Sequence, residues 1–180
     1  MKNTRILVEI GLLVAIAYIL ELLAGVYSRF IWPQGGSISA SLVPLGIIAY
    51  RYGWKYGLVS GSVLGILQLL SGAYIIHPAQ LVMDYLLPYT GAAGIMGLWS
   101  SRLKSTKINL RFSIWLSTFL ASMFKFICNF LSGIIFFYIF TPEGMHIWLY
   151  SFIYNFPIQF FSWILSASIL ALIFNRLNNI

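Results

Sequence analysis

The chain runs to 180 residues, 60% of them hydrophobic and 8% charged, with a mean hydropathy of +0.88. Soluble domains carry about a quarter charged residues, so a water-facing surface is excluded and a single integral membrane domain over 1–180 is expected. The net charge of +7 falls in short clusters between apolar blocks, with no basic face or stripe, which argues against nucleic acid as a partner.

Six apolar blocks follow one another, at roughly 6–25, 38–50, 54–72, 79–99, 111–140 and 147–174. The first, within "MKNTRILVEIGLLVAIAYILELLAG", has the basic start of a signal peptide. Glu9 and Glu21 inside it, and the lack of a convincing A-x-A cleavage site, favour a retained first span. Gly11 and Ala15 stand four residues apart on it. Such small residues let a second helix approach closely, either within the bundle or from another membrane protein. The connecting "RFIWPQGGSIS" (29–39) contains Pro33, Gly35 and Gly36 and is expected to fold over the outer end. A spanning helix needs about 20 apolar residues, so the second block crosses only part of the bilayer. Gly57, Gly61 and Gly65 share one face of the third block and are expected to pack against a neighbouring helix.

Pro78 opens the fourth block, where a helix's first turn loses no hydrogen bond to proline. The block then places Asp84 in the apolar run "LVMDYLLPY" (81–89), and Pro88 one turn later is expected to kink the helix and free a carbonyl. "GAAGIMG" (91–97) reads as internal packing. The fifth block aligns Lys125, Asn129, Gly133 and Phe137 at i, i+4, i+8 and i+12, on one slowly drifting face. Cys128 has no second cysteine to pair with, and there is no Cys/His set for zinc. After "TPEGMH" (141–146), the sixth block carries Tyr150, Asn155, Pro157 and Gln159 in its first half.

With the N-terminus inside, the cytoplasmic connections hold Lys2, Arg5, Arg51, Lys55, Arg102, Lys104, Lys107, Arg111 and Arg176, and the outer ones hold Arg29 alone. The expected architecture is therefore an all-α bundle of six transmembrane helices with both termini cytoplasmic. In that topology Asp84, Asn129, Asn155 and Gln159 all fall in the outer half.

An ionised carboxylate inside an apolar run is costly unless compensated, so Asp84 needs a partner. One reading is an intramembrane pair with Lys125 that holds the fourth and fifth helices together. The other is a ligand. Tyr74, Tyr85, Phe137, Trp148, Tyr150 and Tyr154 lie beside the carboxylate and the two asparagine amides. That set suits a flat, hydrogen-bonding, cationic molecule, because ring faces attract cations and the carboxylate orients them. No phosphate-binding loop, H-E-x-x-H helix or nucleophile–histidine set occurs, so neither ATP hydrolysis nor other catalysis is expected of this chain, and no cofactor.

"PQGGSIS" (33–39), "HPAQLVMDYLLPY" (77–89), "FKFICNFLSGIIFF" (124–137) and "WLYSFIYN" (148–155) together resemble the thiamine-specific S-components (the ThiT family) of energy-coupling factor (ECF) vitamin transporters. The resemblance covers essentially the whole chain. It implies a thiamine site near the outer face, built from helices four to six and lidded by the first loop. By position, Asp84 would hydrogen-bond the ligand, Tyr85, Gly133, Tyr150, Asn155 and Tyr74 would line the site, and Trp32 would belong to the lid. Tyr85, Phe137 and Tyr150 would stack on the ligand rings, Asn129 and Asn155 would complete its polar contacts, and Lys125 would hold Asp84 ionised.

Two positions depart from the family pattern. Asn129 stands where relatives commonly have histidine, and Phe137 where they can have tryptophan. Asparagine cannot become cationic, and phenylalanine attracts a cation less than tryptophan does. The resemblance also implies a bacterial plasma membrane, a T-component and two ATP-binding subunits as partners, and docking through Gly11 and Ala15. The rival readings are an S-component for another vitamin or a thiamine precursor, a stand-alone secondary transporter, and a structural subunit held by an Asp84–Lys125 pair.

Overall fold

The computed structural model describes residues 2–33, 35–71, 75–103 and 109–177, and all its regular structure is helical. Helix α1 is Lys2–Ser28, α2 Leu42–Tyr52 and α3 Trp54–Leu70. Helix α4 runs over 78–103 in three contiguous pieces: α-helical at Pro78–Leu81, π-helical at Val82–Leu86 and α-helical again at Leu87–Leu103. Helix α5 is Leu110–Phe136, followed by a 3-10 turn at Tyr138–Phe140, and α6 is Ile147–Leu177.

The six apolar blocks thus become the six helices expected, the second of them short as its block foretold. Only α1, α4, α5 and α6 are long and apolar enough to cross a membrane alone. Helix α2 has 11 residues, about 16 Å of rise, and α3 has 17, about 25 Å. Their shortfall has a local cause. Gly53, at φ 89°, turns the chain between them, and a non-helical segment precedes α2. Ser39 and Ser41 of that segment are buried, so irregular backbone is sheltered by protein rather than exposed to lipid. Helix α2 is correspondingly buried along its length, with Leu42, Leu45, Ile48 and Ala49 at its core.

Close packing holds the rest together, as it must where lipid is as apolar as the side chains. The glycine face of α3 lies against α4. A Cβ on Gly61 would come within 2.3 Å of the Tyr89 carbonyl oxygen, so backbone meets backbone there. Gly57 and Gly65 meet the Ala93 and Tyr85 carbonyls in the same way, and Gly91, Gly94 and Gly97 are likewise filled by neighbours. Helices α5 and α6 are fastened by edge-to-face ring pairs, Trp115 with Trp163 at 5.6 Å and Phe126 with Phe152 at 5.6 Å.

Close to Pro88, where a kink is expected, the helix contains a π turn. The π turn ends two residues before the proline, and its wider hydrogen bonding, with the Leu87 N–H donating to the Val82 carbonyl, adapts the helix to the missing donor.

Two polar contacts mark one end of the bundle. Arg51 and the Tyr52 hydroxyl both donate to the Glu9 carboxylate, joining the end of α2 to the start of α1. Arg111 Nε donates to Asn175 Oδ1 at 3.0 Å, joining the start of α5 to the end of α6. This arginine-bearing end faces the cytoplasm by the positive-inside rule.

Candidate functional site

At the other end, the helices surround a cavity of about 550 Å³, within the range of small-molecule sites. Its wall combines the ends of α1 and α3, the π turn of α4, the last half of α5 and the first half of α6. Trp32 and Gly35 to Ser37, between α1 and α2, also line it. This connecting segment is tethered across the bundle. The Tyr154 hydroxyl donates to the Gly35 carbonyl at 2.9 Å, the Tyr27 hydroxyl donates to the Ile38 carbonyl, and the Ser39 N–H donates to Ser162 Oγ at 3.1 Å.

The fold brings Asp84, Tyr85, Lys125, Asn129, Gly133, Phe137, Tyr150, Asn155 and Trp32 together around this cavity. Tyr74, the remaining expected lining residue, lies outside the described residues. Gly11 and Ala15 are far from the cavity in character. Both are exposed on α1 among Leu7, Leu12 and Ile16, and nothing approaches within 4 Å of the place a Gly11 Cβ would occupy. They do not pack within the bundle.

Asp84 sits in the π turn, and its carboxylate accepts from Gln80 Nε2 at 2.9 Å. Gln80 is itself fixed. Its Oε1 accepts from the Ile76 N–H at 2.8 Å and the His77 N–H at 3.4 Å, while His77 Nδ1 accepts from the Ala79 N–H at 3.1 Å. This reciprocal cap at Pro78 satisfies the helix's first donors and aims the Gln80 amide at Asp84.

The expected Asp84–Lys125 pair does not form. Lys125 Nζ lies 4.0 Å from Glu21 Oε1 and 4.0 Å from the centroid of the Tyr89 ring. Lys125 rises from mid-helix in α5, where the nearest carboxylate is on α1 rather than in the π turn. Glu21 also accepts from Ser41 Oγ at 2.5 Å and from Ser37 Oγ at 2.9 Å. Lys125 therefore does not hold Asp84 ionised. Among the described residues, Asp84 has no ion-pair partner.

Sequence reasoning missed Glu21 and Gln80 as contributors. The signal for Glu21 was present, since it too is a carboxylate in an apolar run; the fold leaves it only 6% exposed. That for Gln80 was the His77–Pro78–x–Gln80 spacing, readable as a cap.

Gly133 earns its place by packing: a Cβ there would fall 2.2 Å from Ser151 Oγ. Its absence lets Ser151 reach across and donate to the Phe130 carbonyl at 2.8 Å. Asn155 Nδ2 donates back to the Ser151 carbonyl at 2.9 Å, which leaves its amide oxygen facing other partners. Three lining amides carry buried atoms with no hydrogen-bond partner: Asn129 Oδ1, Gln159 Oε1 and Gln68 Nε2. Unsatisfied amide groups beside a carboxylate that has no ion-pair partner among the described residues are what a polar, positively charged guest would satisfy.

The model of the thiamine transporter protein family (Thia_YuaJ) matches residues 7–180. The thiamine transporter ThiT of Bacillus subtilis is 34% identical over 174 residues, covering 93% of this chain and 89% of that protein. The thiamine transporter ThiT of Lacticaseibacillus paracasei is 25% identical, over 76% of this chain and 72% of its own. A solved structure of ThiT from Listeria monocytogenes superposes with a TM-score of 0.77, covering 98% of this chain and 96% of that one at 24% identity, a likeness of fold.

Proposed function

The chain belongs to the thiamine transporter family, and we propose from that premise that it captures thiamine at the outer face of a bacterial plasma membrane. It is a transport protein and not an enzyme. As the S-component of an ECF transporter, it would then hand thiamine to a T-component driven by two ATP-binding subunits.

The observation that carries this reading is Asp84, a cavity carboxylate that accepts from the neutral Gln80 amide and has no ion-pair partner among the described residues. Thiamine brings a permanent thiazolium charge and an aminopyrimidine edge rich in donors and acceptors. Asp84 would accept from that edge or face the cation, and Asn129 and Asn155 would complete the polar contacts. Tyr85, Phe137, Tyr150 and Trp32 would offer ring faces to the two heterocycles. The cavity lies at the end opposite Arg51 and Arg111, which supports entry from outside. The sequence carries no phosphate-binding loop, so the energy for uptake would come from partners. The exposed Gly11–Ala15 face of α1 is the surface we assign to the T-component.

Titrating detergent-purified protein with thiamine while following tryptophan fluorescence tests the reading, with riboflavin and biotin as controls. Saturable quenching by thiamine alone is expected, since Trp32 lines the cavity. A folded protein that ignored thiamine but responded to another vitamin would redirect the assignment to that ligand.

A further inference from the structure

The cavity holds more ionisable chemistry than the ligand contacts use. Glu21, Lys125 and Asp84 all line it, and the first two are almost fully buried, at 6% and 7% exposure. Two carboxylates against one ammonium leave one net negative charge beside the ligand, which matches a singly cationic guest. Arg29 also lines the cavity but is exposed at its mouth, where water screens it.

We propose that Glu21 is a positioning residue of this site: it holds the Lys125 ammonium away from Asp84 and so leaves Asp84 available to the cation. The proposal rests on the thiamine reading above. Glu21 is fixed for this task by the Ser37 and Ser41 hydroxyls, which bind its two carboxylate oxygens from the segment roofing the cavity. Lys125 is in turn fixed between Glu21 and the face of Tyr89. Tyr89 lies five residues beyond Asp84 on α4, about 7.5 Å along the axis. A lysine on its flexible four-carbon stem has the reach to swing over such a distance once its own carboxylate is removed. An ammonium left unpaired in an apolar wall seeks the next carboxylate, because a lone buried charge is far costlier than a paired one. Without Glu21, that carboxylate is Asp84. The ligand would then meet an occupied partner and a site with no net negative charge.

Thiamine titrations of wild type, Glu21→Gln and Glu21→Gln/Lys125→Met, each checked for helicity and a cooperative melt, separate the possibilities. Glu21→Gln is expected to weaken thiamine binding by about tenfold or more, since a competing buried cation opposes the ligand's charge. Adding Lys125→Met removes the competitor and restores the net negative charge, so affinity is expected to recover most of the loss. A double variant that folds but binds no better than Glu21→Gln would overturn the proposal, as would wild-type affinity in Glu21→Gln. Should the single variant not fold, the double variant decides alone: binding near wild type supports the role, and lost binding sinks it. Failure of the thiamine reading would show separately, as an unresponsive wild type.

Discussion

Glu21 accepts from Ser37 and Ser41 and faces the Lys125 ammonium, whereas Asp84 accepts from the Gln80 amide and faces the cavity. The difference decides what each substitution does. Asp84→Asn keeps the size and one acceptor but removes the charge, so thiamine binding is expected to weaken by about 10- to 100-fold, the worth of one hydrogen bond to a charged group. Stability should change little, because Asp84 is part of no ion pair among the described residues. Calorimetric titration beside a thermal melt reads both quantities, and unchanged affinity would remove Asp84 from its central role. That Asp84 needs a partner was legible in the sequence from the cost of a carboxylate in an apolar run. Its partner was not. Lys125 looked like the obvious counter-charge in one dimension, and only the packing of α1 against the bundle shows that Glu21 reaches it first.

Hydrophobic periodicity located every helix but could not report their inner geometry. The block at 38–50 reads as short, and α2 is short, because the chain must pass from a non-helical segment to helix to the Gly53 turn within the membrane's depth. The proline at 88 announces an irregularity in α4, yet nothing in composition distinguishes a kink from the π turn that carries Asp84 and Tyr85. What fixes that turn in space is the α3 glycine face. Gly61→Ala would set a Cβ 2.3 Å from the Tyr89 carbonyl, and neither backbone can rotate away as a side chain would. Helices α3 and α4 would have to separate, at a cost of about 1–3 kcal/mol. A lower melting temperature in detergent is expected, together with weaker thiamine binding as the π turn shifts. An unaltered melt would show that the α3–α4 contact is looser than its geometry implies.

The whole molecule divides its tasks along two axes. Along the bundle, Arg51 and Arg111 mark one end and the cavity lies near the other, beside Arg29, the single outer cation in the Lys and Arg count. Across the bundle, polar groups turn inward while α1 shows an apolar, small-residue face, with Leu7 65% and Leu12 62% exposed beside Gly11. Lipid alone covers such a face adequately, so its exposure does not identify a partner. The small residues do carry a specific consequence, because only they let a second helix backbone approach closely. Gly11→Leu with Ala15→Leu fills that groove without touching the cavity, and the space around Gly11 accepts a side chain without displacing any neighbour. Thiamine affinity in detergent is therefore expected to stay within about twofold of wild type, as for surface changes distant from a site. Uptake by cells or vesicles containing the T-component and ATP-binding subunits is expected to fall by about tenfold or more, because overpacking a close helix contact forces the helices apart. Binding and uptake must be measured on the same variant for the comparison to discriminate. If both fall together, the α1 face supports the fold of the binding site. If uptake survives the added side chains, the T-component docks elsewhere, and the exposed stripe of α1 is simply the surface this protein turns toward lipid.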